Sequence, residues 1–335
     1  WKTTTYGSFY FDVTISKIAH SYTSKVTAPT CTEQGYTTYT CSNCGDSYKT
    51  DYIGATGVHS YGDWYEAKVP TCDEDGEERR DCAICNAYET RVTTCGHERD
   101  YAWDVDGDDT LEILAIGNSF SIDALTYAWQ IAQDLGIEKV VIGNLYIGGC
   151  TLEKHANNAA SDSAAYVYYY NDSGTWTSTN EYKISTALTD RSWDYVSIQQ
   201  GSSKSGLESS YNEDLTNLIA YVKELTASAD NINRNPCTKL VWHMTWAYQQ
   251  DSTQAAFANY NNDQMTMYNA IVSAVQNKIC TNEDIDIIVP SGTAVQNART
   301  SLLGDTLTRD GYHMSIPLGR YLVGLTFIKT ITGLS

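Results

Sequence analysis

Leu111-Glu112-Ile113-Leu114-Ala115-Ile116-Gly117-Asn118-Ser119-Phe120-Ser121-Ile122-Asp123 is the stretch whose reading decides the fold. An apolar run of this length, stopped by a glycine, reads as a buried strand. From Ser121 to Leu135 the residues Leu125, Trp129, Ile131 and Leu135 recur at roughly helical spacing, with Ser121 available as the N-cap. Ser119 is therefore expected at the C-terminal tip of a strand, just ahead of a helix. In open α/β sheets that rim is where ligands bind, and backbone N–H groups there can face an anion. A serine hydroxyl at such a tip is a candidate nucleophile when a base can reach it. Without a base, the same stretch is an ordinary strand-to-helix connection.

A candidate base lies far along the chain, in Arg309-Asp310-Gly311-Tyr312-His313-Met314-Ser315. An Asp three residues before a His in a turn can hold one ring nitrogen by a hydrogen bond. The other nitrogen is then free to take a serine proton. A lone histidine is more often structural, but this one sits in a polar, Gly-containing loop ahead of an apolar helix.

Between these two points strands and helices alternate, the mark of a parallel sheet with crossover helices. Strands are expected at 111–116, 139–143, 193–199, 238–243 and 285–289, and helices at 121–135, 210–228, 254–278 and 317–331. Tyr166 to Thr177 alternates around Asn171-Asp172-Ser173-Gly174 and reads as an inserted β-hairpin. Its aromatic side chains are expected to pack as cross-strand pairs, or to stack on a sugar ring.

Gly117-Asn118-Ser119-Phe120-Ser121 after a first strand, and Asp310-Gly311-Tyr312-His313-Met314-Ser315 before a last helix, resemble the first and last blocks of the SGNH (GDSL-like) hydrolases. The resemblance covers about residues 111–335. It implies a three-layer α/β/α flavodoxin-like fold and a Ser-His-Asp triad of Ser119, His313 and Asp310. Asn144 to Thr151 looks like the family's glycine block, which makes Gly149 an oxyanion donor. At the third strand end the family usually carries Gly-x-Asn-Asp. This chain has Gln199-Gln200-Gly201 instead, closer to the Gln-Gly variant of some carbohydrate acetylesterases. Gln200 is the expected side-chain donor, with Gln199 as the alternative. Asn118 replaces the usual Asp of the first block. Asn118 and Trp246, which follows the fourth strand, are the expected substrate contacts. The implied activity is hydrolysis of acyl esters, above all O-acetyl groups on a carbohydrate, with no cofactor for the chemistry. Two rivals are a lipid or thioester hydrolase on the same scaffold and a non-catalytic glycan-binding surface protein.

Ahead of this region lies an internal repeat. His20-Ser21-Tyr22 returns as His59-Ser60-Tyr61, and Cys31, Cys41 and Cys44 return 41 positions later as Cys72, Cys82 and Cys85. Copies this small cannot bury much and need a staple. A Cys-x-x-Cys knuckle with a further Cys and a His can form a tetrahedral zinc site. Within one copy the set would be Cys31, Cys41, Cys44 and His20, and in the next Cys72, Cys82, Cys85 and His59. The fourth ligand could equally be the trailing histidine, His59 or His97. Disulfides are the rival, although three thiols per copy do not pair evenly. The repeats resemble short Cys-rich repeats in surface proteins of Gram-positive gut bacteria, which implies spacer or polysaccharide-contact roles. The organisation expected is an opening strand or remnant over 1–19, repeats over 20–58 and 59–103, and the hydrolase-like region over 104–335.

Across the 335 residues the net charge is -19, which argues against nucleic acid and against an anionic membrane surface as partners. No apolar run approaches the length of a bilayer span. No leader is visible, and Trp1 to Ile18 reads as strand, so an upstream segment is expected to have been removed. Abundant tyrosine and sparse lysine suit a secreted or cell-surface bacterial protein. Asp104 to Asp109 reads as a solvated acidic linker in preference to a calcium loop. His243 is read as a core residue that could instead face the pocket. Cys150 and His155 stand five apart, a poor spacing for a nucleophile pair on a helix. Cys237 and Cys280 could be bridged.

Overall fold

The computed structural model describes residues 17–70, 75–93 and 101–335. These fall into two compact units, one from residues up to 68 together with 77–93, the other from 69–76 together with the chain after 93. Of the opening strand expected over 1–19, residues 1–16 lie outside the described residues.

In the first unit each repeat copy makes a small antiparallel sheet. β1 (Tyr22–Thr27), β2 (Gly35–Cys41) and β3 (Ser47–Ile53) pair in that order. β4 (Tyr65–Lys68), β5 (Gly76–Asp81) and β6 (Tyr88–Thr93) repeat the arrangement. Each Cys-x-x-Cys occupies the turn leaving the middle strand, with Tyr22 facing Cys41 and Tyr61 facing Cys82. Among the described residues of this unit only Cys31, Gly35, Thr37, Cys41 and Cys82 are buried, so an aliphatic core is missing from them.

The second unit begins at β7 (Thr110–Gly117), whose side chains after Thr110 are all buried, as a central strand covered on both faces requires. There follow α1 (Ser119–Leu125), α2 (Ala128–Asp134), β8 (Lys139–Tyr146), α3 (Leu152–Ala160), β9 (Tyr166–Asn171) and β10 (Thr177–Tyr182). Then come α4 (Ile184–Thr189), β11 (Tyr195–Ile198), α5 (Glu213–Ala227), β12 (Lys239–His243), α6 (Gln264–Lys278), β13 (Ile287–Val289), α7 (Ser291–Arg299) and α8 (Leu318–Thr332). The seven strands run in the order β10-β9-β8-β7-β11-β12-β13. The last five of these are mutually parallel, while β9 and β10 are antiparallel additions at the β8 edge. Numbering the parallel strands by themselves gives 2-1-3-4-5, the flavodoxin-like order. Right-handed crossovers then put α1 and α2 on the face that α7 and α8 join, and α3, α4 and α5 together on the other.

The hairpin at 166–182 is present as a pair of sheet strands, and its aromatics divide. Tyr168 stacks on Tyr182 with ring centroids 4.4 Å apart, whereas Tyr169 faces the pocket described below. The helix expected over 121–135 is two helices, and its cap is Asn118, whose side chain accepts from Phe120 N–H. Ser121 is buried instead, its hydroxyl 2.8 Å from the Asn118 carbonyl oxygen and 2.9 Å from Asn144 Oδ1. The acidic stretch after 103 is not a solvated linker. Asp104 is buried and accepts the N–H groups of Gly107, Asp108 and Asp109 at 2.8, 3.2 and 2.9 Å. No helix among the described residues is long and apolar enough to cross a membrane.

Glu112 is an acid inside the central strand. Its Oε1 accepts from Arg191 Nε at 2.7 Å, while Oε2 is buried without a partner among the described residues. Burial, opposed by Arg191, pushes its pKa up to about 7. A carboxyl raised on folding contributes stability that is complete below its unfolded pKa of about 4.3 and is lost as pH rises through the folded value. The melting temperature of this unit is therefore expected to be higher near about pH 5.5 than near about pH 8. Glu112→Gln should flatten that difference in a calorimetric pH series.

Candidate active site

The carboxyl ends of β7, β8 and β11 open onto a pocket of about 550 Å³, lined among others by Asn118, Ser119, Gly149, Ser202, Ser203 and His313. Ser119 is the first residue of α1, held there because β7 ends at Gly117 and Asn118 caps the helix. His313 comes from the turn before α8. Its Nε2 lies 2.8 Å from Ser119 Oγ, and its Nδ1 lies 2.7 Å from Asp310 Oδ2. Asp310 Oδ1 also accepts the N–H groups of His313 and Tyr312, at 2.8 and 3.3 Å. Partial burial works to raise the Asp310 carboxyl, but these bonds from His313 and Tyr312 outweigh it and hold it below its ordinary value. Asp310 thus stays an anion where it faces the imidazole. Gly311 makes the turn possible with φ of 91°, a left-handed backbone that disfavours a side chain.

The turn is pinned from behind by residues that local reading of the sequence does not single out. Asp123, fully buried and one helical turn beyond Ser119, accepts Met314 N–H at 2.8 Å, Arg309 Nη1 at 3.0 Å and Arg320 Nε at 2.8 Å. One short helix therefore carries both the hydroxyl and the clamp for the histidine loop. An Asp in the middle of an amphipathic stretch reads as solvated, and only its burial shows otherwise. Trp246 is completely buried, stacks on Phe120 with centroids 4.3 Å apart, and donates its indole N–H to the Tyr312 carbonyl at 2.7 Å. It is not part of the pocket wall, so the expected substrate contact becomes a support for the same loop. Asn118 lines the pocket, but its amide is engaged: Oδ1 accepts from Phe120 N–H and from Gln199 Nε2, and Nδ2 donates to the Cys150 carbonyl.

Of the expected oxyanion donors, Gly149 is at the pocket with φ of 62°, and among the described residues its N–H has no acceptor. Gln200 is elsewhere. Its Nε2 donates to the carbonyl and hydroxyl of Ser210 at 3.1 and 3.0 Å, and its Oε1 accepts from Leu152 and Gly201. Gln199 is no substitute, since its Nε2 serves Asn118 and its Oε1 faces His243 Nδ1 at 3.2 Å. Both amides lie under the rim and tie neighbouring loops together. The loop after β11 brings Ser202 and Ser203 to the pocket in their place, with Ser202 Oγ 3.0 Å from Tyr248 OH. Removing a true oxyanion donor costs about 10²–10³ in kcat. Gln200→Met is instead expected to lower the melting temperature while leaving kcat of the folded fraction within about threefold of wild type.

The remaining candidates are structural. His243 is buried between Gln199 and Ser291 Oγ, and burial lowers its pKa to about 3. Cys150 and His155 do meet, at 3.5 Å, but burial pushes the thiol up to about 12 and the imidazole down to about 3. A protonated thiol beside a neutral ring is not an activated nucleophile. Cys237 is disulfide-bonded while Cys280 is free, so they are not partners. In the first unit, the ligand sets expected within single copies are redrawn. His20, Cys41 and Cys44 cluster without Cys31. Cys31 lies instead with His59, Cys82 and Cys85 of the following copy, because its loop is hydrogen-bonded to the segment that leads into that copy. Cys72, Cys95 and His97 lie outside the described residues.

Fold and site together define an α/β protein with a Ser-His-Asp constellation at the carboxyl ends of its parallel strands. The chain belongs to the family described as Domain of unknown function (DUF4886), whose model matches residues 112–335. A crystal structure of a member from Bacteroides uniformis ATCC 8492 is 41% identical, with 67% of this chain and 83% of that one covered and a TM-score of 0.62. A putative GDSL-like lipase from Parabacteroides merdae ATCC 43184 aligns at 17% identity over 68% of this chain and 97% of its own, with a TM-score of 0.42. An acetylxylan esterase from Geobacillus stearothermophilus aligns at 12% identity over 66% and 94%, with a TM-score of 0.39. No curated protein gives a significant match.

Proposed function

We propose that this chain is a secreted or cell-surface serine esterase of the SGNH type that removes O-acetyl groups from a carbohydrate. The observation that carries the reading is the unbroken relay from Asp310 through His313 to Ser119, with both links under 3 Å, at the floor of an open pocket. Ser119 Oγ attacks the ester carbonyl and its proton passes to His313 Nε2. Asp310 accepts the opposite N–H and stabilises the imidazolium. The tetrahedral oxyanion is received by the N–H groups of Ser119 and Gly149, with the Ser202–Ser203 loop beside them. As the intermediate collapses, the bond from the carbonyl carbon to the sugar oxygen breaks and His313 gives its proton to that oxygen, releasing the sugar as an alcohol. A water then repeats the sequence on the acyl-enzyme.

The substrate class follows from the lining. Tyr146, Tyr169, Tyr248 and Tyr312 present rings and hydroxyls, and Ile122 is the one aliphatic side chain among the described lining residues. Such a wall suits a sugar, which offers both C–H faces and hydroxyls. The disulfide at Cys237 supports an oxidising compartment.

One observation favours a second reading, a lipid or thioester hydrolase. A neighbouring pocket of about 260 Å³ shares Ile122 and Tyr169 with the first and adds Leu125 and Trp176. Two measurements separate them: acetate release from a panel of acetylated polysaccharides, and turnover of nitrophenyl esters from acetyl to decanoyl, each beside Ser119→Ala. The acetylesterase reading expects acetate release and a steep fall beyond short acyl chains. A rate that climbs with chain length would replace it with the second.

A further inference from the structure

The first unit buries thiols where other small domains bury aliphatic side chains. Cys31, Cys41 and Cys82 are 5%, 1% and 6% exposed. Around one point, Cys31 Sγ, Cys82 Sγ, Cys85 Sγ and a ring nitrogen of His59 all lie within 4.8 Å of one another, with His59 Nδ1 3.3 Å from Cys85 Sγ. Bond lengths of about 2.3 Å to sulfur and 2.0 Å to nitrogen set the edges of a zinc tetrahedron at about 3.5–3.8 Å. The four donors therefore need only small rotations to close on one ion. The knuckle is formed as well: Cys82 and Cys85 bracket the bend that follows β5, as Cys41 and Cys44 bracket the turn at the end of β2. All three thiols of the set are free, and an odd number of them cannot pair completely.

We propose that Cys31, His59, Cys82 and Cys85 bind one zinc ion that joins consecutive repeats, the histidine and knuckle coming from the second copy and the fourth thiolate from the first. The backbone delivers Cys31 to its neighbour's site. Thr56 N–H donates to the Thr30 carbonyl at 2.9 Å and Gly57 N–H to the Cys31 carbonyl at 3.2 Å, which lays the Cys31 loop along the segment running into His59. Binding releases the protons of three thiols and leaves a Cys₃His site of the kind that holds small folds together. A unit without an aliphatic core among its described residues gains most from such a link. The first copy's His20, Cys41 and Cys44 offer three donors among the described residues, and the proposal is confined to the four-donor set.

The test uses the full chain and zinc itself, measured by elemental analysis and native mass spectrometry. Cys31→Ser, which leaves the second copy untouched, is expected to lose about one zinc per chain. Cys72→Ser, which would empty a site built within the second copy, is expected to retain the wild-type content. A measurement on the wild type guards against misfolded variants. Zinc should protect Cys31, Cys82 and Cys85 together from iodoacetamide, and EDTA should expose them together. The proposal is overturned if Cys72→Ser loses the metal and Cys31→Ser keeps it, or if Cys31 alkylates at a rate indifferent to zinc. It is equally overturned if protein kept from reductants carries these thiols in disulfides with no zinc above background.

Discussion

Ser119→Ala is expected to lower the turnover of an acetyl ester by about 10⁴-fold or more, with a melting temperature close to wild type. The size of the loss follows from the chemistry. Within the pocket, Ser119 Oγ is the hydroxyl paired with a base, through the 2.8 Å contact to His313 Nε2. Without it no acyl-enzyme forms, and the remaining acceleration is what the oxyanion donors give to direct attack by water. The fold should tolerate the change because α1 is capped by Asn118 and not by Ser119. His313→Ala should cost a similar factor, and the double variant little more, since the pair acts as a unit. Steady-state rates on nitrophenyl acetate, with melting curves for each variant, check this. A Ser119→Ala protein that keeps a tenth of the wild-type rate would remove the triad mechanism.

Asp123→Ala is expected to damage stability and turnover together. Its carboxylate is wholly buried and gathers two guanidinium groups and the Met314 N–H. Removing one member of a buried ion pair costs about 3–5 kcal/mol, because the partner charges stay behind without compensation. Arg320 and the Met314 amide would be left in that position, and Met314 adjoins His313. Loosening this loop by about 1 Å can cost about 10²-fold in rate. Asp123 does not line the pocket, so the fall should appear in kcat more than in KM, and Asp123→Asn should recover part of both losses. Urea unfolding and a kcat–KM separation measure the two effects. Wild-type stability in Asp123→Ala would show that the arginines find other partners and that the clamp is not needed.

The strand-turn-helix at 110–125 and the turn at 310–313 were legible because their information is local. Apolar runs and an Asp three residues from a His act over a few positions, and alternation of strands and helices marked a parallel sheet with crossovers, although the cap proved to be Asn118 and not Ser121. Three helices escaped, α3, α4 and α7: α4 spans only six residues, and the other two escaped for a physical reason. The buried stripe of α3 is Leu152, His155, Ala156 and Ala159, and that of α7 is Ser291, Gly292, Val295 and Arg299. Such small and polar residues do not register as an apolar face until neighbours are seen to cover them. Gln199 and Gln200 mark the opposite error. Their position at a strand end suggested side chains aimed at substrate, whereas their amides satisfy Asn118, His243, Leu152 and Ser210 beneath the rim.

By itself the amino-acid sequence determined the alternating α/β plan, the place of Ser119 at a strand tip, the Asp310–His313 turn and the two Cys-containing copies. Tertiary structure alone decided what each polar side chain meets: Asp123 under the histidine loop, Trp246 behind it, and Cys31 beside the following copy's histidine. The reason is range. A backbone conformation is set within a turn or two of chain, but a buried amide, carboxylate or thiol takes whichever partner packing brings to it from tens or hundreds of residues away.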